Sequence, residues 1–445
     1  MKNIYKDKLY WHFDGHRNIK KLKRYIEDDQ YILKHGFFPF LHYTKSFDKF
    51  NITREKGKRR KTKDREIYYC SHIDRYIYQR CGNEISQYYN DYCLENGFNE
   101  CSVAYRNNNP GKCNIHFAKD VFKFIKNSKE CFIIVGDFHK FFDNLDHQYL
   151  YQMLLKCMNR EMLSDVQYKI YKNICKFAYI NIEDLCVYMD IKRRKVSKLK
   201  DRLTTKELRE LKGEYLQKNI DKKTKQWNDF GIPQGSPISA IYANVYMIEF
   251  DKKLCEFVNL YKGLYRRYSD DFIIVLPKVK DSVEQRLVAN QLFKFVSETK
   301  NLHLETTKTS CYYFKEKELL CIEDLLTNQK NESKTLNYLG FTFDGKHIRL
   351  RDKTITKYYY KLYKAIDKHL KLERKKGVRL NRHHLIKRKS IYGIKKGKRN
   401  FLTYVNRALK EFPNEELIKK VKKSNLNKIS ARFNLKKTTK KTQQD

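Results

Sequence analysis

Two short apolar runs limit what this chain can fold into. Cys131-Phe132-Ile133-Ile134-Val135-Gly136 and Phe272-Ile273-Ile274-Val275-Leu276 are continuous rather than alternating, which suits strands buried on both faces. The first run ends at Asp137. The second follows Ser269-Asp270-Asp271, a tight turn after another short strand from Tyr265. Acids beside buried strands cost free energy unless something pairs with them. A divalent cation with oxygen ligands, such as Mg²⁺ (or Mn²⁺), is a fitting partner. If the two strands are neighbours, they share a pair of ions. Two ions about 3.5–4 Å apart stabilise the attacking and leaving oxygens of an in-line phosphoryl displacement. Asp137 and Asp270 are then the primary ligands and Asp271 supports them. The backbone carbonyl of Phe138 adds an oxygen. Taken alone, Asp270-Asp271 would be an ordinary surface turn, and it is Asp137 at a second strand end that tips the reading.

Charge points the same way. Lys and Arg number 95 against 52 Asp and Glu, a net charge of +43, and such a surface attracts polyanions, nucleic acid above all. An AT-rich codon bias accounts for lysines singly but poorly for the shortage of acids. No stretch of eighteen apolar residues and no strong amphipathic anchor argues for a membrane partner. Met1 to Lys6 lack an apolar signal core, so a cytoplasmic location is expected. The twelve cysteines show neither C-x-x-C nor zinc-finger spacing, and they are expected to be free, mostly buried thiols.

Along the chain, residues 1 to about 60 read as helical and basic. The run 54–65 is solvated and leads into a strand at Glu66-Ile67-Tyr68-Tyr69. Helical periodicity covers 72–95, Asn107 to Gly111 is a turn, and a helix is expected from about Leu145 to Cys157. Residues 190–226 read as an exposed, charged helical insertion. From Phe230 to Leu254 a loop passes into a helix, with Ser236 as cap and Pro237 in the first turn. Residues 281–300 read as helix, and Leu336 to Leu350 as a hairpin turning at Asp344-Gly345. From Thr356 the chain is helical and basic. Leu372, Leu380, Leu385, Ile386, Ile391, Tyr392 and Ile394 make residues 371–400 amphipathic, and the stretch from Ser424 to Asp445 is expected to fray.

Gly136-Asp137-Phe138-His139-Lys140-Phe141-Phe142-Asp143-Asn144-Leu145-Asp146-His147 resembles motif A of group II intron and retron reverse transcriptases. Gly231-Ile232-Pro233-Gln234-Gly235-Ser236-Pro237-Ile238-Ser239 is similar to their motif B, Tyr268-Ser269-Asp270-Asp271 to motif C, and Asn337-Tyr338-Leu339-Gly340-Phe341 to the primer-grip hairpin. Four matches in order, from about Arg65 to Leu350, make the resemblance strong. It implies an α+β right-hand polymerase. Fingers would take residues 1–130, an antiparallel-sheet palm 131–350 with its 190–226 insertion, and a basic helical thumb 351–445. It implies RNA-directed DNA synthesis from dNTPs on an RNA template with a DNA or RNA primer. Phe142 resembles the steric gate beneath the sugar. Gln234 and Gly235 resemble the nucleotide pocket, and Lys308 the motif D lysine that protonates pyrophosphate. Arg65, with Lys63 beside it, resembles the triphosphate clamp.

The insertion is longer and more charged than a minimal palm requires, and Ser269 replaces the usual alanine. No maturase, endonuclease, integrase, zinc-knuckle or ribonuclease H pattern stands out. The layout is closest to bacterial defence-associated enzymes, for which a dedicated non-coding RNA is the expected partner and template. Template-independent or protein-primed synthesis on the same residues stays open, as does a non-catalytic RNA-binding scaffold. So does a homo-oligomer.

Overall fold

The computed structural model describes Tyr5, residues 7–50 and 60–322, Leu325, and residues 334–392 and 399–438. The chain forms β1 (Phe40–Thr44), β2 (Phe47–Phe50), β3 (Arg60–Lys63) and β4 (Glu66–Tyr69). Then come β5 (Glu130–Asp137), β6 (Ala178–Asn181), β7 (Gln217–Lys218), β8 (Leu264–Tyr268) and β9 (Asp271–Leu276). β10 (Ser310–Lys315), β11 (Glu318–Cys321), β12 (Leu336–Tyr338), β13 (Phe341–Phe343) and β14 (Ile348–Leu350) follow. The central sheet has the order β11-β10-β5-β9-β8 and is antiparallel throughout. A second sheet, β4-β1-β6-β7, joins residues 40–69 to residues 178–218, and helices fill most of the remainder. The fold is α+β.

The two apolar runs are the middle of the central sheet. Side chains alternate across its plane. Phe132, Ile134, Phe272 and Ile274 enter one core with Ile77, Tyr78 and Ile85 of the helix His72–Glu95. Cys131, Ile133, Ile273 and Val275 enter another with Val121, Phe122 and Ile125 of the helix Asn114–Ser128, and with Phe341 and Phe343. Both faces are covered, so neither run needs polar alternation, and each buried Ile or Phe contributes roughly 1.5–3 kcal/mol. Gly136 stands opposite Phe272, whose ring would lie 2.3 Å from an added Cβ. Only glycine admits that ring so close to Asp137.

Several expectations need correction. Among the described residues before 60, the chain is helical only at Ile19–Glu27 and Asp29–Lys34. From Phe40 it is extended, because β1 pairs with β4 on one side and β6 on the other. Of the run 54–65, residues 54–59 lie outside the described residues, and the rest forms β3 and the lead into β4.

The 190–226 segment is not a free-standing helical projection. It is helical at Arg193–Val196 and Thr205–Tyr215 and adds β7 to a sheet. Val196 and Leu211 are buried in a small core with Trp11, Phe13, Leu41 and Ile180. Trp11 Nε1 donates to Asp201 O at 2.8 Å, and Leu203 N to Phe13 O at 3.1 Å. Arg193 lies over the Tyr43 ring and pairs with Glu183. The partner that buries this segment comes from almost 200 residues upstream, so its local pattern reads as exposed.

Leu336 to Leu350 is a three-stranded meander instead of one hairpin. Its extra turn is at Leu339-Gly340, and the Asp344-Gly345 turn is present, with Asp344 Oδ1 accepting from Lys346 N and His347 N. Against the expected fraying, residues 425–438 are ordered. Asn425–Thr438 is a helix whose Ile429 and Phe433 pack on Tyr359, Leu362, Ile366 and Leu370 of the helix Asp352–Lys376. Arg432 pairs with Asp367 at 2.6 Å. Ile394 and residues 439–445 lie outside the described residues. Cys70, Cys81, Cys93, Cys131 and Cys175 are free, buried thiols. No described helix is long and apolar enough to cross a membrane.

Candidate active site

Antiparallel pairing sets Asp137, the last residue of β5, directly opposite Asp271, the first of β9. Ser269 and Asp270 form the two-residue turn between β8 and β9. Phe138 N donates to Asp270 O at 3.0 Å, which ties the turn to the end of β5. The Phe138 ring is buried against Phe141, Phe250 and Phe272, so its carbonyl is held one residue beyond Asp137.

The three acids work against one another. Burial, then the charges of Asp270 and Asp137, push Asp271 up to about 7, with Lys308 and Arg351 opposing. Its side chain still reaches solvent, so water screens part of that repulsion. Burial lifts Asp137 as well, opposed by a hydrogen bond from Lys308. Lys308 Nζ is 2.5 Å from Asp137 Oδ2. This lysine sits in the 3₁₀ turn Thr306–Lys308, and Glu305 N anchors the turn by donating to Asp137 O at 2.7 Å.

The Gln234-Gly235 loop is fixed on β4. Tyr68 N donates to Gln234 O at 2.9 Å. Gly235 has φ +129°, and a Cβ there would stand 2.4 Å from Tyr68 O. Ile232 N donates to the carbonyl of half-buried Phe142 at 3.0 Å, which ties Phe142 to the chain two residues before Gln234. Ser236 is not the helix cap. The helix Ser239–Tyr246 follows Ile238, Pro237 lies in the preceding turn, and the buried Ser236 Oγ has no hydrogen-bond partner among the described residues. Ser239 Oγ instead donates back to Pro233 O at 2.8 Å. The bend at Gly235 delays the helix.

The expected cations divide. Lys63 lies near enough for its charge to act on both Asp137 and Lys353. Arg65 exchanges main-chain hydrogen bonds with Lys45, at 2.8 and 3.2 Å, closing the base of the β2–β3 arm. Its side chain is exposed, and among the described residues nothing ties it to the three acids. Arg351, just beyond β14, was not singled out from sequence, yet its charge acts on Asp271. One arginine among so many bases carries no local signal. Tyr68 was equally hidden, because its contribution is a backbone N–H.

The donors fit a hard divalent ion, being carboxylate oxygens that repel one another. Among the described residues no three His, Cys, Asp or Glu side chains form a complete metal cage. Mg²⁺ does not require one, since it commonly takes one or two carboxylates and leaves the remaining positions to water and substrate phosphates.

Comparison with known proteins adds a family. The family described as reverse transcriptase (RNA-dependent DNA polymerase) matches residues 61–343. No curated protein matches the sequence. Similar solved structures include apo telomerase of Candida tropicalis truncated from the C-terminal domain, at 10% identity and TM-score 0.43, covering 70% of this chain and 55% of that one. Telomerase of Candida albicans in complex with a TWJ fragment of telomeric RNA has 13% identity, TM-score 0.37 and coverages of 77% and 54%. Apo telomerase of Candida tropicalis has 12% identity, TM-score 0.40 and coverages of 75% and 52%. The chain thus spans about half the length of each.

Proposed function

This chain belongs to the reverse transcriptase (RNA-dependent DNA polymerase) family of nucleotidyltransferases, and from that premise we propose that it copies RNA into DNA at Asp137, Asp270 and Asp271. The observation that carries the reading is the β5–β9 register, which sets Asp137 opposite Asp271 beside the turn bearing Asp270. Two Mg²⁺ ions (Mn²⁺ can replace them) supply, when bound, the charge that activates a primer 3′-hydroxyl and neutralises departing pyrophosphate. Asp137 and Asp270 hold them, aided by Asp271 and the Phe138 carbonyl. Phe142 lies beneath the sugar of the incoming dNTP and disfavours a 2′-hydroxyl. Gln234 contacts sugar or base, and Gly235 lets the backbone approach. Lys308 carries the proton for pyrophosphate. Lys63, with Arg65 at the base of its arm, clamps the triphosphate.

Residues 1–130, 131–350 and 351–445 then serve as fingers, palm and thumb. Lys353, Lys357, Lys361, Lys364, Lys368 and Lys371 are exposed on the helix Asp352–Lys376, opposite the buried Tyr359, Leu362, Ile366 and Leu370. At 1.5 Å per residue this lysine stripe runs about 27 Å. It suits the phosphate backbone of a template–primer duplex, so binding is salt-sensitive. The retron-like motifs support a bacterial antiviral role in which a structured non-coding RNA is the template, with cytoplasmic location.

The test is a comparison of wild-type protein with the Asp270→Ala/Asp271→Ala variant. Primer extension on a defined RNA is measured with Mg²⁺ and dNTPs, and co-purified nucleic acid is sequenced. Wild-type-specific cDNA, with folding and RNA binding retained in the variant, is the expected result. Untemplated product, or DNA covalently attached to protein, would replace templated copying by the corresponding synthesis mode. Incorporation by the variant would overturn the site, and RNA binding without incorporation under any metal would leave a scaffold.

A further inference from the structure

Arg267 is wholly buried, directly before motif C, and touches none of the reacting groups assigned above. It is among the largest fully buried side chains of the protein. Its Nε donates to Asp251 Oδ1 at 2.8 Å and its Nη2 to Asp251 Oδ2 at 2.6 Å, a bidentate pair with Asp251 equally buried. Tyr265 Oη donates to the same Asp251 Oδ1 at 2.7 Å. The remaining terminal nitrogen, Nη1, donates to Asn244 Oδ1 at 3.3 Å and to the main-chain oxygen of Ser269 at 3.0 Å. The main chain of Arg267 is pinned too, since its N donates to Cys101 O at 2.8 Å and its O accepts from Val103 N at 2.9 Å.

The last side-chain contact matters because of what Ser269 is. Ser269 has φ +63° and is the first residue of the two-residue turn that presents Asp270. Glycine favours that conformation and residues with a Cβ resist it. A serine there is held by its surroundings. Phe138 N grips the turn through Asp270 O from β5, and Arg267 grips it through Ser269 O from beneath. Asp251 lies on the helix Ile248–Leu260 and Asn244 on the helix Ser239–Tyr246, which follows the Gln234-Gly235 loop. The guanidinium is thus the junction between two core helices and the acid-bearing turn.

We propose that Arg267 is a positioning residue for the reaction. Clamped by Asp251, it fixes the Ser269 carbonyl and so sets Asp270 and Asp271 in the geometry that takes up divalent metal. This rests on the active-site reading above. A planar fork can meet a carboxylate and a carbonyl together, whereas the ammonium of lysine cannot span both with the same geometry. Removing a partner that orients ligands typically costs 10–100-fold in metal affinity or activity.

The experiment compares wild type, Arg267→Lys, Asp251→Asn and the double variant Arg267→Lys/Ser269→Gly. Affinity for Mn²⁺ alone is read by electron paramagnetic resonance on metal-stripped protein, with a thermal melt of each sample. The Mg²⁺ concentration for half-maximal single-nucleotide incorporation is read separately. The expected result is a melt showing folded protein, metal affinity weakened by roughly 10–100-fold in both single variants, and part of that loss regained with glycine at 269. Unchanged Mn²⁺ affinity in whichever single variant folds would overturn the proposal and leave Arg267 a core ion pair. Equal weakening with and without Ser269→Gly would also overturn it, since the turn would not be the route. Because Mn²⁺ binding is read without turnover, a wild type that binds metal but incorporates nothing would count against the proposed function and not against Arg267.

Discussion

Gly235→Ala probes the joint between the Gln234 loop and β4, and its cost follows from the structure. An added Cβ would stand 2.4 Å from Tyr68 O and 3.3 Å from Tyr68 C, so something must move. Forcing a side chain into a packed site costs about 1–3 kcal/mol. Relief by lifting the loop would break the 2.9 Å bond from Tyr68 N to Gln234 O, worth about 0.5–1.5 kcal/mol. These two costs are alternatives, because the movement that ends the clash also ends the bond. The backbone term is separate. A φ of +129° lies where side chains are strained by roughly 1–3 kcal/mol. The sum is about 1.5–6 kcal/mol. Gly111 supplies the control, since it has φ +80° and nothing within 4 Å of an added Cβ, so Gly111→Ala carries backbone strain alone, about 1–2 kcal/mol. Urea unfolding of the two variants and wild type gives the stabilities, and primer extension gives the KM for dNTP. Gly235→Ala is expected to lose at least ~0.5 kcal/mol more than Gly111→Ala and to raise KM, with Gly111→Ala near wild type in KM. Equal stability losses with unchanged KM would refute the argument that close approach to Tyr68 shapes the pocket.

Asp271→Asn tests the cost of ionising an acid that is partly buried and stands beside Asp270 and Asp137. A folded pKa of about 7 against roughly 3.9 unfolded means that the ionised form weakens the fold. The penalty begins near pH 4 and is complete above about 7. Three units is ~4 kcal/mol at full weight, and solvent access reduces it to about 1–2 kcal/mol. In EDTA the variant should melt above wild type at pH 8 and level with it at pH 4, and a gap that does not widen with pH counts against a raised Asp271 pKa. Phe142→Ala should lower discrimination between dNTP and rNTP by roughly 10–100-fold in kcat/KM, and an unchanged ratio would remove Phe142 from the sugar site. Leu211→Ala should cost about 2–5 kcal/mol in its local core. Hydrogen exchange should rise at Trp11, Phe13 and residues 193–215 while β5 and β9 stay protected, and unaltered exchange at Trp11 would mean the insertion does not lean on it.

The sequence by itself determined the centre of this protein. Continuous apolar runs at 131–136 and 272–276 need burial on both faces, and an acid beside each run makes a shared site if the strands are neighbours, which the β5–β9 pairing supplies. The helix 72–95 was legible for the same kind of reason, because a 3.6-residue period is written along the chain. What the tertiary structure alone decided depends on partners far away in sequence. Leu211 and Val196 look exposed until Trp11 and Phe13 arrive, and Ile429 and Phe433 look like a tail until they meet Leu362 and Ile366. The position of the helix after Gly235 was set by a hydroxyl reaching back to Pro233 and by contact with Tyr68, not by the strength of Ser236 as a cap. Arg267 is the sharpest case. In the sequence it is one base among 95 Lys and Arg, and only the fold removes water from it and sets Asp251 on one side and the Ser269 carbonyl on the other. Periodicity and composition register whether a residue is apolar. A buried charge is defined by its neighbours, and those are assembled only when the chain has folded.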